Sequence, residues 1–205
     1  MAINLALKRA QKAQRRKRVA EEKRRAATIE KSLGARVLRA ARGQIQHCLL
    51  MDSLFETGVG TLVLARGATP HCVAMGCFLI DVFCLGIKDV IFKEPDEEEL
   101  KLFFQTMDLA SPMISVDPSY ARKLLRDLAA WSHKIGFAPH RDFAAVEPLF
   151  GDVNADACEA VFQFGCDGKP RYIPGPGESR LQIRDRLQHL RKTLGEGGFE
   201  TDIAA

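Results

Sequence analysis

Residues 61–85 read TLVLARGATPHCVAMGCFLIDVFCL, which is two apolar runs separated by a short turn sequence. The runs at 61–66 and 72–84 are rich in β-branched and aromatic side chains, which favour strands. Gly67 and Pro70 suit a tight connection between them. Because such connections join antiparallel neighbours, the sequence predicts an antiparallel hairpin here.

Other predicted elements extend outward from this hairpin. Residues 45–51 and 87–93 read as strands, and Gly86 marks a bend before the second of these. Helices are predicted to start at Pro95 and Pro118, where acidic or proline start signals precede apolar stripes. The remaining predictions are a short helix at 142–150 disturbed by Pro148, a hairpin of 160–164 with 170–173, a helix at 178–194 and a last strand at 199–203. Strands first and helices later predict an α+β fold, with an antiparallel sheet built from hairpins and packed against several helices.

Charge is distributed unevenly along the chain. The net charge is +4, yet residues 1–43 hold 14 Lys/Arg against three Glu, a net +11. The remaining residues hold 16 basic and 23 acidic side chains, a net −7. Residues 3–31 also have strong helix propensity. We therefore predict a basic helical arm at 1–43 and a single α+β body domain at 44–205.

The arm is the strongest functional feature of the sequence. Basic side chains that neutralise phosphates release counterions, which gives strong, sequence-independent binding at low salt. No aromatic residue occurs before Phe55, so base stacking by the arm is not expected. The leading hypothesis is a nucleic-acid-associated binding or adaptor protein, with RNA slightly preferred because no helix-turn-helix or zinc-finger pattern occurs. The candidate nucleic-acid-binding residues are Lys8, Arg9, Lys12, Arg15, Arg16, Lys17, Arg18, Lys23, Arg24 and Arg25.

The nucleic acid could be free or part of a ribonucleoprotein. Two alternatives for the arm remain open: it contacts a protein partner, or it is solvated or held by the acidic body. The first makes the chain a protein-interaction module whose arm and body engage different partners.

A second class of function is a metal-dependent hydrolase acting on phosphoesters. Its candidate catalytic residues are Asp81, Asp89, His140 and Asp142, because carboxylates and imidazole bind metals and transfer protons. Asp81 lies in the most apolar strand region, where a carboxylate is costly to bury unpaired. Two of these residues also have a simpler interpretation: Asp81 lies on a solvated face or forms a salt bridge, for which Lys88 is a candidate partner, and Asp142 caps a helix.

A candidate phosphate site surrounds the start of the last helix. Helix N-termini attract phosphate, and basic side chains upstream would assist. Glu178 would repel an anion, and ordinary capping by Ser179 is the competing interpretation. The candidate residues are Lys169, Arg171, Gly175, Gly177, Ser179 and Arg180.

Cysteine usage and hydropathy indicate the compartment. The six cysteines lack C-x2-C spacing, which favours reduced, buried thiols over a zinc site. No secretory signal is recognisable, and no apolar run approaches the roughly 18 residues of a membrane span. The sequence predicts a cytoplasmic protein that does not bind membranes, and it leaves cofactors, metal content and oligomeric state open.

Three blocks resemble a family of uncharacterised bacterial proteins. They are FLIDVFCLGIKD at 78–89, GFAPHRDF at 136–143 and FGCDGKP at 164–170, the last followed by Gly175-Pro176. The resemblance covers roughly residues 44–199 and implies one intact body domain. It implies no activity and assigns no catalytic residue.

Overall fold

The computed structural model describes residues 33–69 and 72–203. The ten candidate nucleic-acid-binding residues between Lys8 and Arg25 lie outside the described residues. The chain divides into two compact units, residues 1–36 and 37–205. Residues 33–40 are helical, and this stretch is called α1.

A five-stranded antiparallel sheet forms the centre of the larger unit, which confirms the predicted α+β class. The strand order is β4-β3-β2-β1-β5, so each of the first four strands pairs with its neighbour in sequence. The three-residue strand β5 was not predicted, because so short a run carries no periodic signal. The strands are β1 Ile45–Met51, β2 Val59–Thr69, β3 Cys72–Asp81, β4 Gly86–Lys93 and β5 Met113–Ser115.

The three long helices begin where the sequence placed their start signals, whereas the one-turn helix at Leu54–Thr57 was not predicted. Asp96 and Glu99 form a reciprocal capping box, with the Glu99 amide 2.9 Å from the Asp96 carboxylate. Asp117 caps the next helix ahead of its proline. The predicted 142–150 helix is split at Glu147, where a 3-10 turn containing Pro148 replaces it. The helices are α2 Leu54–Thr57, α3 Glu97–Ala110, α4 Pro118–Lys134, α5 Phe143–Val146 and α6 Arg180–Leu194, with 3-10 turns at Glu147–Phe150 and Ala155–Ala157.

Both faces of the sheet are covered by helices. Phe78 contacts the rings of Phe143 and Phe150, so its face of the sheet packs on α5 and the following turn. The opposite face carries Val63 and Met75, which pack with Leu100 of α3. Alternate strand residues supply these two faces, because successive side chains of a strand point in opposite directions.

A smaller module follows the sheet, and here the sequence prediction was wrong. The Asp167-Gly168 turn forms as predicted, with both residues at positive φ and a bridge between Cys166 and Lys169. The flanking segments do not pair as a hairpin. Instead β6, Arg171–Tyr172, pairs in parallel with β7, Glu200–Thr201. The cause is packing, because Phe162 and Phe164 lie against rings of α4 and draw residues 158–164 away from β6.

Arg66 ties the segment after α1 to the rest of the unit. It lies within β2, three residues before the strand ends, is only 4% exposed, and its guanidinium donates to three backbone carbonyls. The acceptors are Ala41, Gly43 at 2.8 Å and Phe150 at 2.7 Å. Its side chain makes no direct carboxylate contact among the described residues, and burial lowers its pKa. Among the described residues, the charge is therefore stabilised by three carbonyl dipoles and by the nearby charge of Asp152, without a direct ion pair.

The five cysteines whose side chains are described are free thiols. Cys48 and Cys84 are buried as predicted, whereas Cys77, Cys158 and Cys166 are half-buried, and burial raises the pKa of Cys48 to about 12. None of the described helices is long and apolar enough to cross a bilayer.

Candidate functional site

One cleft brings together residues from two of the predicted sites. It has a volume of about 500 Å3 and lies beside β4, between the loop that follows α4 and the loop that precedes α6. Leu79, Ile87 and Phe137 supply apolar walls. Its polar lining consists of Lys88, Asp89, His140, Gly175, Gly177, Glu178 and Arg186.

A β-bulge aims two adjacent side chains into this cleft. Asp89 pairs with Leu79, but the next pair joins Ile87 to Ile80, so Lys88 is an extra residue in β4. In a regular strand, Lys88 and Asp89 would point to opposite faces. The bulge breaks that alternation, and both residues line the cleft.

His140 stands between two carboxylates. Its Nδ1 accepts a hydrogen bond from the Asp142 backbone amide at 3.3 Å, which places the imidazole proton on Nε2. Nε2 is 3.6 Å from the Asp89 carboxylate, whereas the Asp142 carboxylate lies 3.9 Å from Nδ1. Because these nitrogens lie on different edges of the ring, the ring separates the two carboxylates. The His140 amide donates to the Ile87 carbonyl at 2.9 Å, which fixes this loop against β4.

Glu178 is the centre of a second polar group. Its carboxylate accepts a hydrogen bond from the Tyr172 hydroxyl, forms an ion pair with Arg186, and lies 3.8 Å from the Lys88 ammonium. Burial alone would raise the pKa of Glu178, but bonds from Tyr172 and Arg186 outweigh it and hold that pKa below its usual 4.5. Burial and the bond to Glu178 raise the pKa of Tyr172 to about 12. Glu178 is thus an ionised carboxylate held by two cations at the cleft wall.

Asp81 does not line the cleft. It is 2% exposed, and its Oδ1 accepts hydrogen bonds from the amides of Phe83 at 3.0 Å and Cys84 at 2.8 Å. Burial raises the pKa of Asp81, while these backbone bonds and the charge of Lys88 oppose the rise. This carboxylate closes the turn between β3 and β4, so we drop Asp81 from the catalytic candidates.

The candidate phosphate site is divided by the structure. Ser179 forms the capping box with Gln182, with the Ser179 amide 2.8 Å from the glutamine oxygen, so side chains occupy the start of α6. Arg171 pairs with Asp202 at 2.6 Å, and Lys169 and Arg180 are exposed. Only Gly175 and Gly177 reach the cleft.

The predicted metal donors do not form a metal site. Within residues 33–69 and 72–203, no three His, Cys, Asp or Glu side chains are placed to hold one ion. The position of His140 gives the reason, since Asp89 and Asp142 approach different ring nitrogens.

The sequence analysis did not select Tyr172 or Arg186, and it treated Glu178 as a charge that would repel a bound anion. One signal was available for Arg186, which lies three residues after Ile183 and so borders the apolar stripe of α6. A cation beside a buried stripe needs a partner. Which partner it finds depends on how α6 packs against β6, and that is a tertiary property.

A larger cavity of about 650 Å3 lies between β1 and α3. Apolar side chains such as Leu49 and Phe104 and polar ones such as His47 and Lys101 line it, but no predicted site residue does. The cleft beside β4 is therefore the stronger candidate site.

Comparison with protein-family models, with curated proteins and with solved structures found no match. The case for function therefore rests on the chain itself.

Proposed function

We propose that this chain is a nucleic-acid-associated protein, with RNA preferred, whose basic arm contacts phosphate backbones. The observation that carries the proposal is the net charge of +11 within residues 1–43. Such a density of cations binds polyanions through counterion release, without base recognition.

Charges on the larger unit support a division of roles. The body is acidic, with a net charge of −7 over residues 44–205, so it does not attract phosphate as a whole. Exposed Arg39 and Arg42 continue the basic composition up to the segment that Arg66 anchors. Because this segment is fixed to the sheet, a nucleic acid bound there would be held beside the body.

Purification with and without nuclease treatment tests the association. We expect the untreated protein to co-elute with RNA, and nuclease treatment to remove it without precipitating the protein. Sequencing the co-eluting nucleic acid distinguishes RNA from DNA. A protein that elutes free of nucleic acid at low salt, in both preparations, would contradict the proposal.

A second candidate function is phosphoester hydrolysis in the cleft without a bound metal. The observation that favours it is the Nε2 proton of His140, which faces Asp89 where both line one cavity. A water would attack phosphorus and lose a proton to the Asp89 carboxylate, and the bond from phosphorus to the leaving oxygen would break. That oxygen would take the Nε2 proton of His140, which the proton held by Asp89 would replace, and Lys88 would stabilise the charge that develops.

Substitution of His140 tests this second candidate. Proton transfer by a positioned side chain contributes about 10²–10⁴-fold, so His140→Gln is expected to slow hydrolysis of an aryl phosphodiester by at least about 100-fold. His133→Gln, at an exposed position on α4, is the matched control and is expected to leave the rate unchanged. Absence of hydrolysis by the unaltered protein rejects this candidate.

A further inference from the structure

Residues 158–164, CEAVFQF, belong to no helix and no sheet. Exposed side chains at Glu159, Val161 and Gln163 alternate with half-buried ones, the two-residue period of a strand. The rings of Phe162 and Phe164 are nearly parallel, with centroids 6.1 Å apart, as expected for side chains two residues apart on one face of an extended chain.

The backbone of this segment has no partner in the described part of the chain. The nearest backbone bonds are donated by Cys158, to Ala155, and by Gly165, to Val82. Between them, the amides and carbonyls of 159–164 bond to no other described residue. Val161 is 89% exposed at the middle of the segment. A lone strand of this kind is a template for pairing with another chain.

Aromatic packing holds the segment in place. Phe162 lies 5.0 Å from Tyr120 and Phe164 lies 5.5 Å from Trp131, measured between ring centroids. Tyr120 and Trp131 are on α4, three turns apart, and Phe55 stacks on Phe162 from the other side at 6.3 Å. The strand is therefore already ordered, and a partner need not supply that ordering free energy.

We propose that residues 158–164 pair with the same residues of a second copy of this chain, as antiparallel strands about a two-fold axis at Val161. An isologous contact needs a self-complementary surface. With the axis at Val161, the two copies of Val161 face each other. Glu159 of each copy then faces Gln163 of the other, so that the carboxylate can accept a hydrogen bond from the amide in both symmetric pairs. An axis at Ala160 sets Glu159 against Val161, and an axis at Phe162 sets Val161 against Gln163, so neither matches polar with polar.

A pair of exposed substitutions tests the register without disturbing the fold. Gln163→Glu places two glutamates opposite each other at both symmetric positions, and we expect the dimer dissociation constant to rise about tenfold. Adding Glu159→Gln restores a carboxylate–amide pair and is expected to restore the affinity. Gln188→Glu adds the same charge on the exposed surface of α6 and serves as the control. Sedimentation velocity over a wide concentration range measures the dimer dissociation constant of the unaltered chain and of the three variants.

Crosslinking gives an independent readout. Opposed residues of antiparallel strands have Cα atoms about 4.5–5.5 Å apart, within reach of a disulfide. Val161→Cys is therefore expected to form a disulfide-linked dimer under mild oxidation, whereas Gln188→Cys is not. A full-length chain that stays monomeric at every concentration overturns the proposal, as does a dimer whose dissociation constant is unchanged by Gln163→Glu. Slow amide exchange of 159–164 in a monomer also overturns it, because another segment of the chain would then cover the strand.

Discussion

Removing residues 1–31 is expected to flatten the salt dependence of RNA binding. The segment holds eleven Lys/Arg and three Glu. For a single strand, the slope of log affinity against log salt is about −0.7 for each phosphate neutralised. If about half of these cations pair with phosphate, deletion makes the slope less negative by about 4. When salt is raised from about 50 to 200 mM, the affinity of the full chain for RNA is then expected to fall about 200-fold more than that of the shortened chain.

Two further proteins make this measurement specific to the arm. A full-length chain with its ten candidate residues, Lys8 to Arg25, replaced by glutamine keeps the length and the helix propensity of the arm, and it is expected to match the deletion. Replacing Arg184 and Lys192, which are exposed on α6, with glutamine alters body charge alone and is expected to leave the slope near that of the unaltered chain. An unchanged slope after deletion rejects the arm as the binding element.

Replacing Arg66 with methionine is expected to lower the free energy of unfolding by about 3 kcal/mol. Three backbone carbonyls, those of Ala41, Gly43 and Phe150, lose their donor. An unsatisfied buried polar group costs about 1–3 kcal/mol, and removal of the buried charge offsets part of the sum. Methionine retains most of the apolar stem, so the loss reports on the hydrogen bonds rather than on a cavity.

Urea unfolding of Arg66→Met and of a control, Arg42→Met, measures this effect. Arg42 is exposed and close to the same segment, and its substitution is expected to change stability by less than about 0.5 kcal/mol. Arg66→Lys keeps the charge but cannot present the guanidinium fork to three acceptors, so an intermediate loss is expected. Equal stability of Arg66→Met and the unaltered chain would show that these three bonds contribute nothing net.

Local signals in the sequence predicted most of the fold. Turn chemistry at Asp167-Gly168, and the caps at Asp96, Asp117 and Ser179, act over a few residues and need no knowledge of distant contacts. The fold class followed from their order. The turn predicted at 67–70 was misplaced, because β2 continues to Thr69 and Gly67 pairs with Val73. The errors arose where two local patterns competed, as at 160–164, whose strand-like alternation was satisfied by rings on α4 rather than by a hairpin partner.

The candidate site was only partly predictable. His140, Asp89, Gly175 and Gly177 were selected for their chemistry, and they do line one cleft. Asp81 was selected for the same reason, yet its carboxylate closes a turn. The cost of burying a carboxylate was correctly recognised, but its partners are the amides two and three residues further on. Aspartate favours such local turns, and the prediction of a strand over 72–84 overlooked this one.

By itself, the sequence determined the α+β class, the main helix boundaries and the separation of a +11 arm from an acidic body, because propensity, capping and charge are local properties. Only the tertiary structure decided that Lys88 lines the cleft beside Asp89 and that Glu178 pairs with Arg186 and accepts a hydrogen bond from Tyr172. It also decided that the backbone of residues 159–164 stays unpaired within the described chain. Those outcomes depend on register and on which surfaces meet. A one-residue bulge or the packing of one ring redirects a side chain without altering the pattern from which it was predicted.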